Sequence, residues 1–207
     1  MTIDVFAAYV VATLVVLAIP GPTVLLVVSY AVSRGRRATL PSVVGVALGD
    51  ATAATVSLLG LGALLAASAS LFVLLKWIGA AYLVYLGVKM WRQGATPLDL
   101  AAPPEKDGRR ILLHAWLVTA LNPKGIVFFI AFLPQFVSPA SAVAPQLLLL
   151  GATFVLLAIV NAALYAVLAS AVRDRVRRPA TLAAAQRIGG SVLIAAGVAT
   201  ATVNRTA

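Results

Sequence analysis

Long apolar runs dominate the chain, and short polar segments separate them. A helix needs about 20 apolar residues to cross the hydrocarbon core of a bilayer, and six segments reach that length. They are residues 5–30, 40–65, 71–91, 111–133, 145–172 and 182–203. The pattern predicts an all-α, polytopic membrane protein with six transmembrane helices in a single transmembrane domain, 1–207. The first run continues past residue 22 to Tyr30, which favours a retained helix over a cleaved leader.

The composition also indicates that the chain lies in a lipid bilayer. The chain is 62% hydrophobic and 11% charged, whereas soluble domains are about 45–50% apolar and about 25% charged. In water, a protein of this composition would expose large apolar patches. The chain contains no cysteine, which excludes disulfide scaffolds, thiolate metal sites and thiol redox chemistry.

The basic residues alternate from one connector to the next. Connectors one, three and five, with the adjoining helix ends, carry thirteen of the 16 lysines and arginines. The positive-inside rule therefore predicts that these connectors face the cytoplasm and that both termini are periplasmic or extracellular. Because the net charge of +10 comes from separate loop clusters, we expect no nucleic-acid partner.

The chain also contains an internal repeat. Residues 77–88 and 187–198 share Ile-Gly, Leu and Gly-Val at one constant offset, and the first and fourth spans each contain proline near the middle. We predict two three-helix halves, 1–93 and 111–207, joined by a cytoplasmic linker at 94–110. Three spans per half make this a 3+3 inverted-topology repeat with broken first and fourth helices, a common plan in secondary transporters.

The two proline breaks predict a binding site. Proline has no N–H and frees carbonyls of the preceding turn, and unwound backbone at membrane depth must line a cavity or lie within protein. Freed carbonyls favour an ammonium group, and a half-helix N-terminus favours a carboxylate. We therefore predict a site for an amino acid-like zwitterion whose substrate-binding residues are Pro20, Gly21, Pro22, Asn122, Pro123 and Lys124.

Few polar side chains fall near span centres. Asp50 is the only acid inside a predicted span, Lys124 is the only base well inside one, and Asn161 is central in the fifth. A charge at the bilayer centre costs about 2.5–3.5 kcal/mol on insertion scales. Asp50 is therefore the predicted proton-coupling residue, and Asn161 joins the substrate-binding set. Alternatively, Asp50 and Lys124 form a structural ion pair, the asparagines are interhelical hydrogen-bond partners, and the prolines only kink their helices.

At these residues the sequence resembles the LysE/RhtB family of amino-acid exporters, of the lysine exporter and homoserine-threonine exporter type. The resemblance extends over essentially the whole chain. It implies export of amino acids or related small metabolites across a bacterial inner membrane by proton antiport, with membrane lipid as surroundings; a homo-oligomer is compatible with the sequence. The matching motifs are Pro20-Gly21-Pro22, Gly45 through Gly49-Asp50, Asn122-Pro123-Lys124, and Ile188-Gly189-Gly190 to Gly197.

Three other functions remain open. A cation (metal ion) exporter of the same superfamily would use Asp50 and freed carbonyls, although one carboxylate is few for a divalent ion. A membrane enzyme would need a nucleophile–base pair or metal ligands in its spans, and one histidine without cysteine leaves little material for either. We therefore predict no catalytic residue, metal site or cofactor. A purely structural subunit would not need two broken helices.

Overall fold

The computed structural model describes residues 1–18, 21–67, 69–93, 107–138 and 141–171, with isolated positions between 184 and 198. The described part is helical and contains no β-strand, which confirms the all-α class. A π-helical turn, Phe128–Phe132, and a 3-10 turn, Leu133–Phe136, follow α6. The α-helices are α1 Ile3–Ala18, α2 Pro22–Arg34, α3 Arg36–Ala67, α4 Ala69–Gln93, α5 Gly108–Ala120, α6 Pro123–Val127 and α7 Val143–Ala171.

Up to four of the described segments meet the length and apolarity of a membrane span. Helices α3 and α7 do so alone. The pair α1 and α2, bent by 55°, and the pair formed by α5 and Pro123–Phe136, bent by 43°, do so if each counts as one broken span. The breaks lie where the prolines predict them. The six-span count and the inverted repeat remain predictions, because most of the linker 94–110 and of the sixth span lies outside the described residues.

Helices α3 and α7 present apolar side chains outward. Val56 and Leu59 on α3 are 66% and 70% exposed, and Leu148 and Leu156 on α7 are 70% and 65% exposed. Contiguous exposed apolar surface of this kind is unfavourable in water. These faces fit contact with lipid chains.

Two glycines bring the backbones of α3 and α5 together. A Cβ atom at Gly49 would lie 2.5 Å from Thr119 Cβ, and one at Gly45 would collide with the Leu112 carbonyl oxygen. Small residues four positions apart allow such close helix contact. Asp50 follows Gly49 directly, so this packing holds its carboxyl group beside the end of α5.

The described interior contains three apolar clusters, and the two larger ones lie around α1 and around α2, on either side of the first helix break. The cluster packed around α1 and the end of the fourth span is largely aromatic and includes Tyr9, Phe128, Phe129, Phe132 and Phe154. Tyr9 is fully buried, and its hydroxyl donates to the Leu150 carbonyl at 2.8 Å. The cluster around α2 consists of small side chains, chiefly valines of α2 and alanines of α7. The first break therefore lies between these two clusters.

Helix α4 contacts the predicted sixth span within the repeated stretch 187–198. A Cβ at Gly87 would lie 2.5 Å from the Gly190 carbonyl oxygen. The Trp91 indole N–H donates to Ser191 Oγ at 3.0 Å, and the Arg187 guanidinium lies 5.6 Å from the centre of the Trp91 ring. The two repeated segments thus pack against each other.

Candidate solute-binding site

A cavity of about 50 Å³ lies where the two helix breaks meet. Five predicted site residues, Gly21, Asp50, Asn122, Lys124 and Asn161, line it. Pro22 and Pro123 begin α2 and α6 beside it, and Pro20 lies outside the described residues. The other lining residues are Val16, Leu17, Thr23, Val24, Val46, Gly125, Phe128, Phe154, Ala158 and Ala162.

The last carbonyls of α1 accept hydrogen bonds from side chains of other helices. In an unbroken helix the Val16 and Ala18 carbonyls would accept from the backbone N–H of residues 20 and 22, but prolines have none. Lys124 Nζ donates to Val16 O at 2.6 Å, and Asn161 Nδ2 donates to Leu17 O at 3.1 Å. The Tyr165 hydroxyl donates to Ala18 O at 2.7 Å. Three side chains thus stabilise the end of α1.

The start of α6 is capped by the protein itself. Asn122 is its N-cap, and Asn122 Oδ1 accepts from the backbone N–H of Lys124 at 3.1 Å. Asn122 Nδ2 donates to Thr23 Oγ1 at 3.0 Å. The Thr119 hydroxyl also donates to Thr23 Oγ1, at 3.4 Å. Thr23 therefore joins the break in the first span to the break in the fourth.

The start of α2 is different, because Gly21 provides no side-chain cap and Pro22 occupies the first turn. The N-terminal end of a helix carries partial positive charge and free N–H groups. The Lys124 side chain lies beside it, since a Cβ at Gly21 would be 3.6 Å from Lys124 Cδ. The helix end and the ammonium group together favour an anion in this part of the cavity.

Asp50 is the only acid, and Lys124 the only base, among the described residues that line the cavity. The Asp50 side chain is buried, with 8% of the residue exposed. Both side chains line the same small cavity. The remaining walls are mainly apolar, with Phe128 and Phe154 as the largest side chains. The site thus combines one charge of each sign with an apolar surface.

Two polar residues that hold the helix breaks escaped the sequence prediction. Tyr165 lies four residues after Asn161, so the two share one face of α7, and this spacing is the signal that could have identified it. Thr23 directly follows the Pro-Gly-Pro break. It carries no charge, so the cost of burying a charge in the membrane could not identify it. Among the described residues, no group of three or more His, Cys, Asp or Glu side chains is placed to hold a metal ion.

Comparison with known proteins places the chain among transporters. The family model for LysE type translocators matches residues 14–203. The homoserine/homoserine lactone efflux protein of Salmonella typhimurium is 32% identical over 198 residues, covering 95% of this chain and 96% of that protein. An uncharacterized membrane protein of Vibrio cholerae is 35% identical over 202 residues, covering 98% of each chain.

The leucine efflux protein of an Enterobacter species is 30% identical over 133 residues, covering 64% of this chain and 63% of that protein. No solved structure matches the chain. The match to the family model covers most of the sequence, in agreement with the resemblance of the motifs. The protein therefore belongs to the family of LysE type translocators and is a membrane transporter.

Proposed function

We propose that this transporter exports small neutral amino acids across a bacterial inner membrane in exchange for protons. The observation that carries the proposal is a small cavity at two helix breaks, lined by one buried acid and one base. An amino acid zwitterion has one charge of each sign. Its ammonium group fits the Asp50 carboxylate and the Val16 carbonyl, and its carboxylate fits Lys124 and the start of α2.

The charge balance of the cavity also favours a substrate whose side chain is neutral. Once Asp50 and Lys124 pair with the zwitterion, the remaining walls include Val46, Phe128 and Phe154. A third charge on the substrate would be buried against these apolar walls without a partner, which is strongly unfavourable. The relatives named for efflux of homoserine, homoserine lactone and leucine support this choice.

The cavity is too small in this conformation to hold an amino acid. A volume of about 50 Å³ holds a few water molecules at about 10–15 Å³ each, whereas ligand pockets occupy about 300–1,000 Å³. Substrate entry therefore requires movement of helices. The two bent helix pairs are the elements suited to move, because a proline interrupts each of them and they bend there by 55° and 43°.

Asp50 is the proposed proton carrier. A buried carboxyl group can release its proton on one side of the membrane and take up another on the other side as the cavity alternates its access. Lys124 neutralises Asp50 while the cavity is closed and pairs with the substrate carboxylate when it is loaded. The alternative, export of a divalent cation, has less support, because such ions take about six to eight oxygen ligands and the cavity offers one carboxylate.

The test is transport by purified protein in vesicles, with Asp50→Asn as the variant. We expect the variant to lose leucine flux driven by a pH gradient. It should keep exchange of labelled for unlabelled leucine at saturating leucine, with a raised KM because the substrate's ammonium loses a charged partner. Asp4→Asn, which changes an exposed acid at the start of α1, is the control and should retain both activities. Full pH-driven flux in Asp50→Asn would exclude Asp50 as the proton carrier.

A further inference from the structure

We infer that the Val16 carbonyl is an ammonium site, that Lys124 fills it while the cavity is empty, and that the substrate's ammonium group displaces Lys124 during transport. This inference rests on the proposed function. It adds a second role for Lys124, because the lysine then serves as a tethered stand-in for the substrate and allows the empty transporter to return.

The three carbonyls at the end of α1 are not equivalent. Leu17 and Ala18 accept from Asn161 and Tyr165, which are neutral donors on the long helix α7. Val16 accepts from Lys124, the only one of the three donors that is charged, at 2.6 Å. A lysine side chain has a flexible four-carbon stem, so the Val16 site is the one whose donor moves most easily.

The Lys124 ammonium that fills this site is chemically similar to the ammonium group of the substrate. Lys124 presents a primary ammonium with N–H donors only, and so does the α-amino group of an amino acid. An arriving zwitterion can therefore replace the hydrogen bond to Val16 without leaving the carbonyl unpaired. Asp50 lines the same cavity as Lys124, so its carboxylate would also attract the substrate's ammonium there.

Lys124 already lies beside the start of α2, so its ammonium group needs only a short movement to face that helix end. Gly21 has no side chain, and the Lys124 stem passes 3.6 Å from the position of its missing Cβ. The uncapped start of α2 and the released Lys124 ammonium then both face the substrate's carboxylate. The cavity thus exchanges one ammonium for another at Val16 while the released lysine pairs with the new negative charge.

This exchange has a consequence for the transport cycle. A transporter returning without substrate would leave the Val16 carbonyl without a donor in an apolar interior, which is costly. Lys124 removes that cost. We therefore expect Lys124→Met to impair net efflux, which requires the empty return, much more than leucine–leucine exchange, in which substrate fills the site in both directions.

The experiment measures both modes in vesicles at saturating leucine. For Lys124→Met we expect exchange to persist with a KM raised by about tenfold or more, because a hydrogen-bonded charge partner is lost, and net efflux to fall by a further tenfold or more. Methylammonium on the receiving side should restore net efflux, since it supplies a primary ammonium for the return. Tetramethylammonium, which has no N–H donor, should not. Lys89→Met, on an exposed position of α4, should behave as wild type.

Chemical modification provides a second variant in the same folded protein. The chain has no cysteine, so Lys124→Cys can be alkylated at this position alone. Aminoethylation restores an ammonium group and should restore net efflux without methylammonium, whereas carbamidomethylation should not. Equal loss of exchange and net efflux, with no response to methylammonium or aminoethylation, would overturn the inference. Failure of the wild type to move any neutral amino acid would overturn the proposed function and this inference with it.

Discussion

Asn161 illustrates how one residue can serve both structure and binding. Its amide donates to Leu17 O, which stabilises the break, and the same side chain lines the cavity. Packing and ligand binding are therefore compatible roles for it. Tyr165 makes the equivalent bond to Ala18 O but does not line the cavity within the described set of residues.

The sequence predicted much of this cluster because polar groups in an apolar solvent must find one another. Asp50, Asn122, Lys124 and Asn161 are costly to expose to lipid, and all four line the cavity. Thr23 carries no such cost, since a hydroxyl in a helix can bond to its own backbone. Its position as the link between two breaks became evident only from the geometry.

We predict different effects for substitution of the two donors on α7. Tyr165→Phe leaves the Ala18 carbonyl without its donor and should lower the free energy of unfolding by about 1–3 kcal/mol, with little change in KM. Asn161→Leu should lower the stability by a similar amount and also raise KM for leucine. Tyr85→Phe, on an exposed part of α4, is the control. Thermal unfolding in detergent and vesicle transport would measure both quantities, and an unchanged KM in Asn161→Leu would contradict its place in the site.

At the level of elements, proline chemistry explains the positions of the breaks but not the shape of the fourth span beyond its break. Pro22 and Pro123 each occupy the first turn of a new half-helix, as their fixed φ angle favours. After α6, the fourth span continues as a π-helical and then a 3-10 turn. Pro134 removes one backbone donor there, and Gln135 Nε2 donates to Ala131 O at 2.9 Å. A hydrophobic pattern cannot predict these turns, because they depend on which side chains replace the missing backbone hydrogen bonds.

The contact between α3 and α5 gives a prediction with a matched control. At Gly49 an added Cβ would lie 2.5 Å from Thr119 Cβ and 2.8 Å from the Trp116 carbonyl oxygen, whereas at Gly60 nothing lies within 4 Å. Gly49→Ala should therefore force the helices apart and cost about 1–3 kcal/mol of stability. Gly60→Ala should be neutral or slightly stabilising, because alanine has the higher helix propensity. Equal unfolding temperatures for the two variants would contradict this account of the helix contact.

For the whole molecule, the apolar pattern correctly predicted a helical membrane protein, and the prolines correctly predicted where two helix pairs bend. The charge pattern adds an orientation that remains to be tested. It predicts connectors one, three and five in the cytoplasm, and the repeat then relates the two halves by inversion. Contacts between side chains determine the geometry of the site, whereas the orientation of the protein depends on how the chain inserts into the bilayer.

Cysteine labelling tests this orientation without background, because the chain has no cysteine of its own. Arg37→Cys reports on the first connector and Ser141→Cys on the fourth, and both positions are exposed. We expect a membrane-impermeant maleimide to label Ser141→Cys in intact cells from which any outer membrane has been removed. Arg37→Cys should react only after permeabilisation. Labelling of Arg37→Cys but not of Ser141→Cys in intact cells would contradict the predicted topology.

The most direct test of the central claim, that the cavity at the helix breaks carries neutral zwitterions, is exchange transport by wild-type protein in vesicles. Labelled leucine and homoserine should exchange at least about tenfold faster than lysine or glutamate, because a third buried charge has no partner in the cavity. N-acetylleucine, which lacks the ammonium group, should not exchange. Transport of lysine, or of a divalent cation, at a rate equal to or above that of the neutral amino acids would contradict the account.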